Sequence, residues 1–206
     1  DPARIQRRGR ITDGIERHGA VRALAALERA DVVLLVLDAS EGMTEQDARL
    51  AGRALEAGRA VVLVANKWDL VEQDARRAAA QRRALTSGHP GLAHLPVVPV
   101  SALHGDGVER LLATLRRVER SFDRVFQTAT LNRALQAAVR EHAPASVRGR
   151  APRIFYATQT RRRPPEVTVF VSDPGDVPAA YRRYLANRFS EAFGLAGVAL
   201  RVTCRR

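Results

Sequence analysis

Two uninterrupted apolar runs, Val32-Val33-Leu34-Leu35-Val36-Leu37 and Ala60-Val61-Val62-Leu63-Val64-Ala65, restrict this chain more than any other feature. Both are rich in β-branched residues and lack the alternation of a half-exposed strand, so each predicts a strand covered on both faces. Between them, Thr44 to Ala57 is polar, with Ala48, Leu50, Ala51, Ala54 and Leu55 forming an apolar stripe. That spacing predicts a helix, and Gly58 is placed to stop it. A basic helix over about Glu72 to Leu85 follows, then a short strand, Leu95-Pro96-Val97-Val98-Pro99-Val100. Gly107 next opens a helix through Val108, Leu111, Leu112, Leu115 and Val118. Strand and helix in alternation mean parallel βαβ units with right-handed connections.

The rhythm changes after Arg120. A helix over about Thr130 to His142 ends at Pro144 and leads to a basic loop, Ser146-Val147-Arg148-Gly149-Arg150. Two strands are predicted over Arg153 to Thr158 and Glu166 to Ser172, with Thr160-Arg161-Arg162-Arg163-Pro164-Pro165 joining them. Pro178 stands where a helix begins, Gly194 closes it, and Val198 to Thr203 forms a last strand. The expected fold is therefore α/β over residues 1–120, a parallel sheet flanked by helices, followed over 121–206 by a small α+β domain.

Charge divides along the same line. The chain carries +12 overall. Residues 1–120 hold 19 basic and 16 acidic side chains, whereas residues 121–206 hold 15 and 6. An excess of +9 in the second part argues for a polyanionic partner there. Lys67 is the single lysine among 34 basic residues. No apolar run is long enough to span a bilayer, nothing near Asp1 resembles a signal peptide, and one cysteine, Cys204, excludes an internal disulfide. A cytoplasmic location without membrane association is the expectation.

Chemistry is written most clearly in Asn66-Lys67-Trp68-Asp69, directly after the second apolar run. Strand ends of a parallel sheet are where such folds bind ligands. The tetrad resembles the N-K-x-D guanine-specificity motif of the translation-factor-related GTPases. An aspartate carboxylate accepts from both N1–H and the exocyclic amine of guanine. Adenine presents neither donor there and would leave the carboxylate buried and unpaired. Asn66 would hydrogen-bond near N7 and O6, and the stem of Lys67 would lie over the base. After the next strand, Ser101-Ala102-Leu103 resembles the S-A-x loop of the same GTPases, in which the alanine N–H reaches guanine O6.

Several further segments carry a more specific resemblance. The run Arg7-Arg8-Gly9-Arg10-Ile11-Thr12-Asp13-Gly14-Ile15-Glu16-Arg17, then Asp38-Ala39-Ser40-Glu41-Gly42 and Asn66-Lys67-Trp68-Asp69, are similar to the second GTPase domain of the Der (EngA) family. Thr130-Leu131-Asn132, Ser146-Val147-Arg148-Gly149, Tyr156-Ala157-Thr158-Gln159, Arg163-Pro164-Pro165 and Tyr181-Arg182-Arg183-Tyr184-Leu185 resemble its carboxy-terminal KH-like domain. The resemblance implies GTP or GDP with Mg²⁺ as cofactors, and a second GTPase domain working beside the protein's own amino-terminal one. It further implies a ribosome-assembly GTPase acting on the large subunit and its RNA. Asp1-Pro2-Ala3-Arg4 stands where the family has D-T-A-G, so Asp1 would hold Mg²⁺ through water. Arg4 and Pro2 depart from that pattern, and Ile5 stands where Ras-like enzymes have a water-positioning glutamine. No G-x-x-x-x-G-K-[ST] occurs in the sequence. The chain is accordingly expected to be a fragment, incompetent for hydrolysis by itself, and no catalytic residue is assigned.

For RNA contact, the expectation rests on Arg148, Arg150, Arg161, Arg162, Arg163, Arg182 and Arg183, a set that predicts steep salt dependence. Gly194-Leu195-Ala196-Gly197 fits the letters of a KH-type G-x-x-G clamp but lies between a helix and the last strand, and reads as a helix stop. Tyr156, Tyr181, Tyr184 and Phe189 read as core. The competing function is a nucleotide-independent RNA-binding or ribosome-binding module without catalysis. A DNA-binding regulator would need a helix-turn-helix pattern, which is absent.

Overall fold

In the computed structural model, which describes residues 29–72, 75–146 and 151–206, the two apolar runs lie side by side in one sheet. Strand β1 (Val32–Asp38) pairs in parallel with β2 (Ala60–Asn66), and β2 pairs in parallel with β3 (Val97–Pro99). Helix α1 (Glu45–Glu56) connects β1 to β2. Its start is fixed by a capping box, with Thr44 Oγ1 accepting from Asp47 N and Asp47 Oδ2 accepting from Thr44 N. Helix α2 (Ala75–Ser87) begins three residues later than the sequence predicts, because a 3-10 turn at Trp68–Leu70 and the buried Val71 intervene. β3 is only three residues long. Pro96 and Pro99 lack the N–H that a longer ladder requires, which confines it to an edge.

The side chains of β2 divide the first half's core in two. Val61, Leu63 and Ala65 face a cluster with Ala51, Ala54, Trp68 and Leu85. Ala60, Val62 and Val64 face a second cluster with Val98, Val118 and Phe122, the last two from α3 (Val108–Phe122). β2 is thus covered on both faces, as its pattern predicts. β1 departs from that expectation: Leu34 is 41% and Val36 59% exposed. Their register partners Val62 and Val64 face α3, and on that side of β1 only Val32 packs against the α3-side core among the described residues. Among the described residues, no helix is long and apolar enough to cross a membrane.

The second half is a three-stranded sheet, ordered β4 (Ile154–Arg161), β5 (Glu166–Val171), β6 (Arg201–Arg205), with α4 (Thr128–Glu141) and α5 (Ala179–Phe193) on one face. Leu131 and Leu135 of α4, Leu185 and Phe189 of α5, and Val167, Val169 and Val171 of β5 form its core. β4 and β5 are antiparallel, and β5 and β6 are parallel.

β6 starts at Arg201 and not at Val198, for a reason local propensity does not contain. Residues 196–198 dock on the first half. Leu195 belongs to the second core, whereas Val198, 1% exposed, belongs to the α3-side core of the first. Ala196 N donates to Ser121 Oγ at 3.2 Å, and Val61 N donates to Gly197 O at 2.7 Å. Gly197 has φ +67, and a Cβ there would lie 2.6 Å from Val61 O, so this close approach requires glycine. The two glycines of Gly194-Leu195-Ala196-Gly197 therefore have structural uses: the first ends α5 at φ +60 and the second lets the segment dock.

Candidate functional site

The loop after β2 is held from both sides. Ala39 N, just beyond β1, donates to Asn66 O at 2.8 Å, and Trp68 N donates to Val100 O at 3.1 Å. Between these bonds, Lys67 is the one described non-glycine residue with positive φ, at 57°. That conformation costs a lysine about 1–2 kcal/mol and persists only where neighbours impose it. Trp68 is buried against Val71, Leu85 and Leu95, which anchors the turn and leaves Asp69 partly exposed beside it. The Asp69 carboxylate has no hydrogen-bond or ion-pair partner among the described residues.

The loop after β3 interlocks with this one. Val100 N donates to Ala65 O, and Ala102 N donates to Asn66 Oδ1 at 3.0 Å. Ser101 is buried, donating through its N to Asp106 O and accepting through Oγ from His104 N. Gly107, at φ +82, ends the loop and caps α3; a Cβ there would sit 2.2 Å from Pro99 O. Leu103 projects outward. The structure therefore brings together five of the six residues expected around guanine: Asn66, Lys67, Asp69, Ser101 and Ala102. One detail differs: the Ala102 N–H expected at the base oxygen is engaged by Asn66.

Sequence reasoning missed the partner of Lys67. Its Nζ donates to Asp38 Oδ2 at 2.5 Å, and Asp38 Oδ1 accepts from Ser40 N at 3.0 Å and Ser40 Oγ at 2.6 Å. The Lys67 hydrogen bond, then those from Ser40, hold the Asp38 carboxyl down to about 2. The same contact raises the Lys67 ammonium above its ordinary value. The signal was present: Asp38 ends β1 as Asn66 ends β2, in parallel register. This ion pair ties the lysine side chain to the end of β1.

A groove of about 650 Å³ lies between α2 and β3, with Arg82, Arg83 and Arg110 on its walls. None of the six expected guanine contacts lines it. Among the described residues no cluster of acidic, histidine or cysteine side chains forms a metal site, and Asp1 lies outside them.

Of the expected RNA contacts, Arg148 and Arg150 also lie outside the described residues. Arg162 and Arg163 reach Asp123 at 3.6 and 4.0 Å, Arg163 also reaches Asp31 at 3.9 Å, and its guanidinium lies 5.6 Å from the Phe122 ring centroid. These two span the joint between the halves. Arg161 Nε donates to Arg163 O, and Arg183 is exposed on α5 beside the half-buried Arg182. Phe189 is core and Tyr181 and Tyr184 pack on it, as expected, but Tyr156 is 49% exposed and is corrected from core to surface.

Residues 21–121 match the elongation factor Tu GTP-binding domain family, and residues 126–205 match the KH-domain-like family of EngA bacterial GTPase enzymes, C-terminal. The chain is 43% identical over 202 residues to GTPase Der of Syntrophotalea carbinolica, covering 98% of this chain and 46% of that protein. GTPase Der of Moorella thermoacetica is 42% identical over 206 residues, covering 100% and 47%, and that of Halorhodospira halophila 43% over 205, covering 100% and 43%. The chain spans about half the length of these curated relatives. With these relatives matched over essentially its whole length and a KH-like second half, the chain belongs to the Der (EngA) family of GTPases.

Proposed function

We propose that this chain supplies the guanine-reading loops and the RNA-facing half of a GTP-hydrolysing assembly factor for the large ribosomal subunit, working in the cytoplasm in association with the ribosome. The observation that carries the proposal is the Asp69 carboxylate, partnerless among the described residues and beside two loops that the Asn66–Ala102 bond locks together. A buried strand ending in a carboxylate of this kind has a use if a ligand brings two donors to it. Guanine brings two. Asn66 and Lys67 hold the surroundings: Asn66 orients the second loop, and Lys67, tied to Asp38, presents its stem to the face of the base.

The base edge is read here, but the phosphates need groups this sequence does not contain. The open side of β1, with Leu34 and Val36 exposed, fits cover by an amino-terminal remainder of the GTPase domain carrying the phosphate loop. Bound GTP would bring Mg²⁺ with its phosphates, and Asp1 is the one candidate here for reaching that ion. In the intact protein, hydrolysis would gate docking of the basic second half, Arg182 and Arg183 included, on ribosomal RNA.

The charge excess of the second half also supports a nucleotide-independent RNA-binding module. The two readings part on one experiment. Ribosomal RNA binding by the longer protein containing this chain, measured with GTP, with GDP and without nucleotide, should depend on nucleotide state. Equal affinity in all three, together with no binding of labelled GDP, would establish the module and end the GTPase proposal.

A further inference from the structure

The sheet of the second half has two unlike faces. Toward α4 and α5 it presents Ala157, Val167, Val169 and Val171. The opposite face carries no aliphatic side chain in its three aligned rows. Tyr156, Phe170 and Arg205 make the first row, Thr158, Thr168 and Thr203 the second, and Arg161, Glu166 and Arg201 the third. Thr168 Oγ1 lies 3.1 Å from Thr160 Oγ1 and 3.0 Å from Thr203 Oγ1, so hydroxyls knit the middle of the face together.

The rings of Tyr156 and Phe170 are stacked, with centroids 4.5 Å apart and planes 16° from parallel. A cross-strand aromatic pair of this kind stabilises a sheet by itself. Two features are not explained by that role. Tyr156 remains half exposed on the edge strand, and its hydroxyl has no partner among the described residues. Arg205 follows on the next strand beyond Phe170, exposed, in the half of the chain that carries +9.

We infer that this face is a stacking platform for single-stranded nucleic acid, a subsite that deepens the RNA-facing part of the proposed function and rests on it. A base laid on the outer side of Tyr156 extends the Tyr156–Phe170 stack by one ring. Arg205, two strand spacings or roughly 10 Å from Tyr156, meets the phosphate backbone. Stacking tolerates any base and asks only that the base be unpaired, so a duplex is excluded by geometry. Stacking on a ring does not depend on a 2′-hydroxyl, and RNA and DNA single strands are expected to bind alike.

The test is fluorescence anisotropy of the full chain with labelled oligouridylate and oligothymidylate on the order of ten nucleotides long, and with a duplex of equal length. Tyr156→Ala should weaken both single strands roughly tenfold, Tyr156→Phe should restore them, and duplex affinity should not move. Arg205→Gln should lower the salt slope for single strands by about one contact. Thermal melts establish that the variants fold. Unchanged single-strand affinity in folded Tyr156→Ala, or equal losses for single strands and duplex, overturns the platform. If single-strand binding survives Tyr156→Ala but falls with Arg182→Gln and Arg183→Gln, the RNA-facing role stands and the platform does not. If the unaltered chain binds no single strand at low salt, both are wrong.

Discussion

Gly197→Ala should loosen the joint between the two halves, and the structure sets the size of the effect. Gly197 sits at φ +67, a conformation that costs an alanine about 1–2 kcal/mol. The added methyl would lie 2.6 Å from the backbone carbonyl of Val61 and 3.1 Å from both Pro96 Cδ and Val118 Cγ2. Val61 is in the central strand and cannot give way, so the segment must retreat. Retreat stretches the Val61–Gly197 hydrogen bond, worth about 1 kcal/mol, and withdraws part of Val198 from a core where its full burial is worth about 1.5–3 kcal/mol. The expected loss is about 2–4 kcal/mol. Gly194 supplies the control: its φ is +60, but a Cβ there meets nothing within 4 Å, so Gly194→Ala should cost only the backbone share, about 1–2 kcal/mol. Urea unfolding followed by circular dichroism measures both. A second transition appearing in Gly197→Ala alone would show the halves parting. Equal losses for the two variants would refute the claim that contact with Val61 fixes residue 197.

Acid should act on the site through Asp38. Its carboxyl is held at about 2 in the fold against an ordinary 3.8, so its contribution is complete above pH 3.8 and is lost as pH falls toward 2. Asp38→Asn should flatten that part of the stability profile in pH-dependent urea titrations. Gly107→Ala should distort the loop after β3, because its Cβ would meet Pro99 O at 2.2 Å with φ at +82. A stability loss of about 2 kcal/mol or more is expected, with weaker GDP binding in the longer protein. Retained GDP affinity would show that loop 101–107 does not read the base.

The strands and the position of the Asn66–Asp69 tetrad at a strand end are legible because both are local. Val61 to Ala65 and Asn66 to Asp69 are adjacent in sequence, and strand length, burial and motif all point the same way. What escaped depends on register or docking. Asp38 became the partner of Lys67 only when β1 and β2 aligned in parallel, placing Asp38 opposite Asn66. The start of β6 moved to Arg201 because Val198 finds its burial in the other half's core, a tertiary gain that overrides strand propensity. Tyr156 defeated the pattern for a different reason. Ile154-Phe155-Tyr156 is a three-residue apolar run, and the register shift between Ile154 and Tyr156 decides which of them faces the core. The docking role of Gly197 was hidden because a glycine after a helix has several uses, and only the distance to Val61 O selects among them.

Whether the Asp69 carboxylate reads a guanine edge is tested most directly by titrating the longer protein, with and without Asp69→Asn, against labelled GDP and XDP. Asparagine exchanges one acceptor for a donor, which suits the C2 carbonyl of xanthine where guanine has an amine. The variant should lose GDP affinity by on the order of a hundredfold, since two charge-assisted hydrogen bonds are disrupted, and should bind XDP more tightly than GDP. Undiminished GDP affinity in the variant would contradict the account.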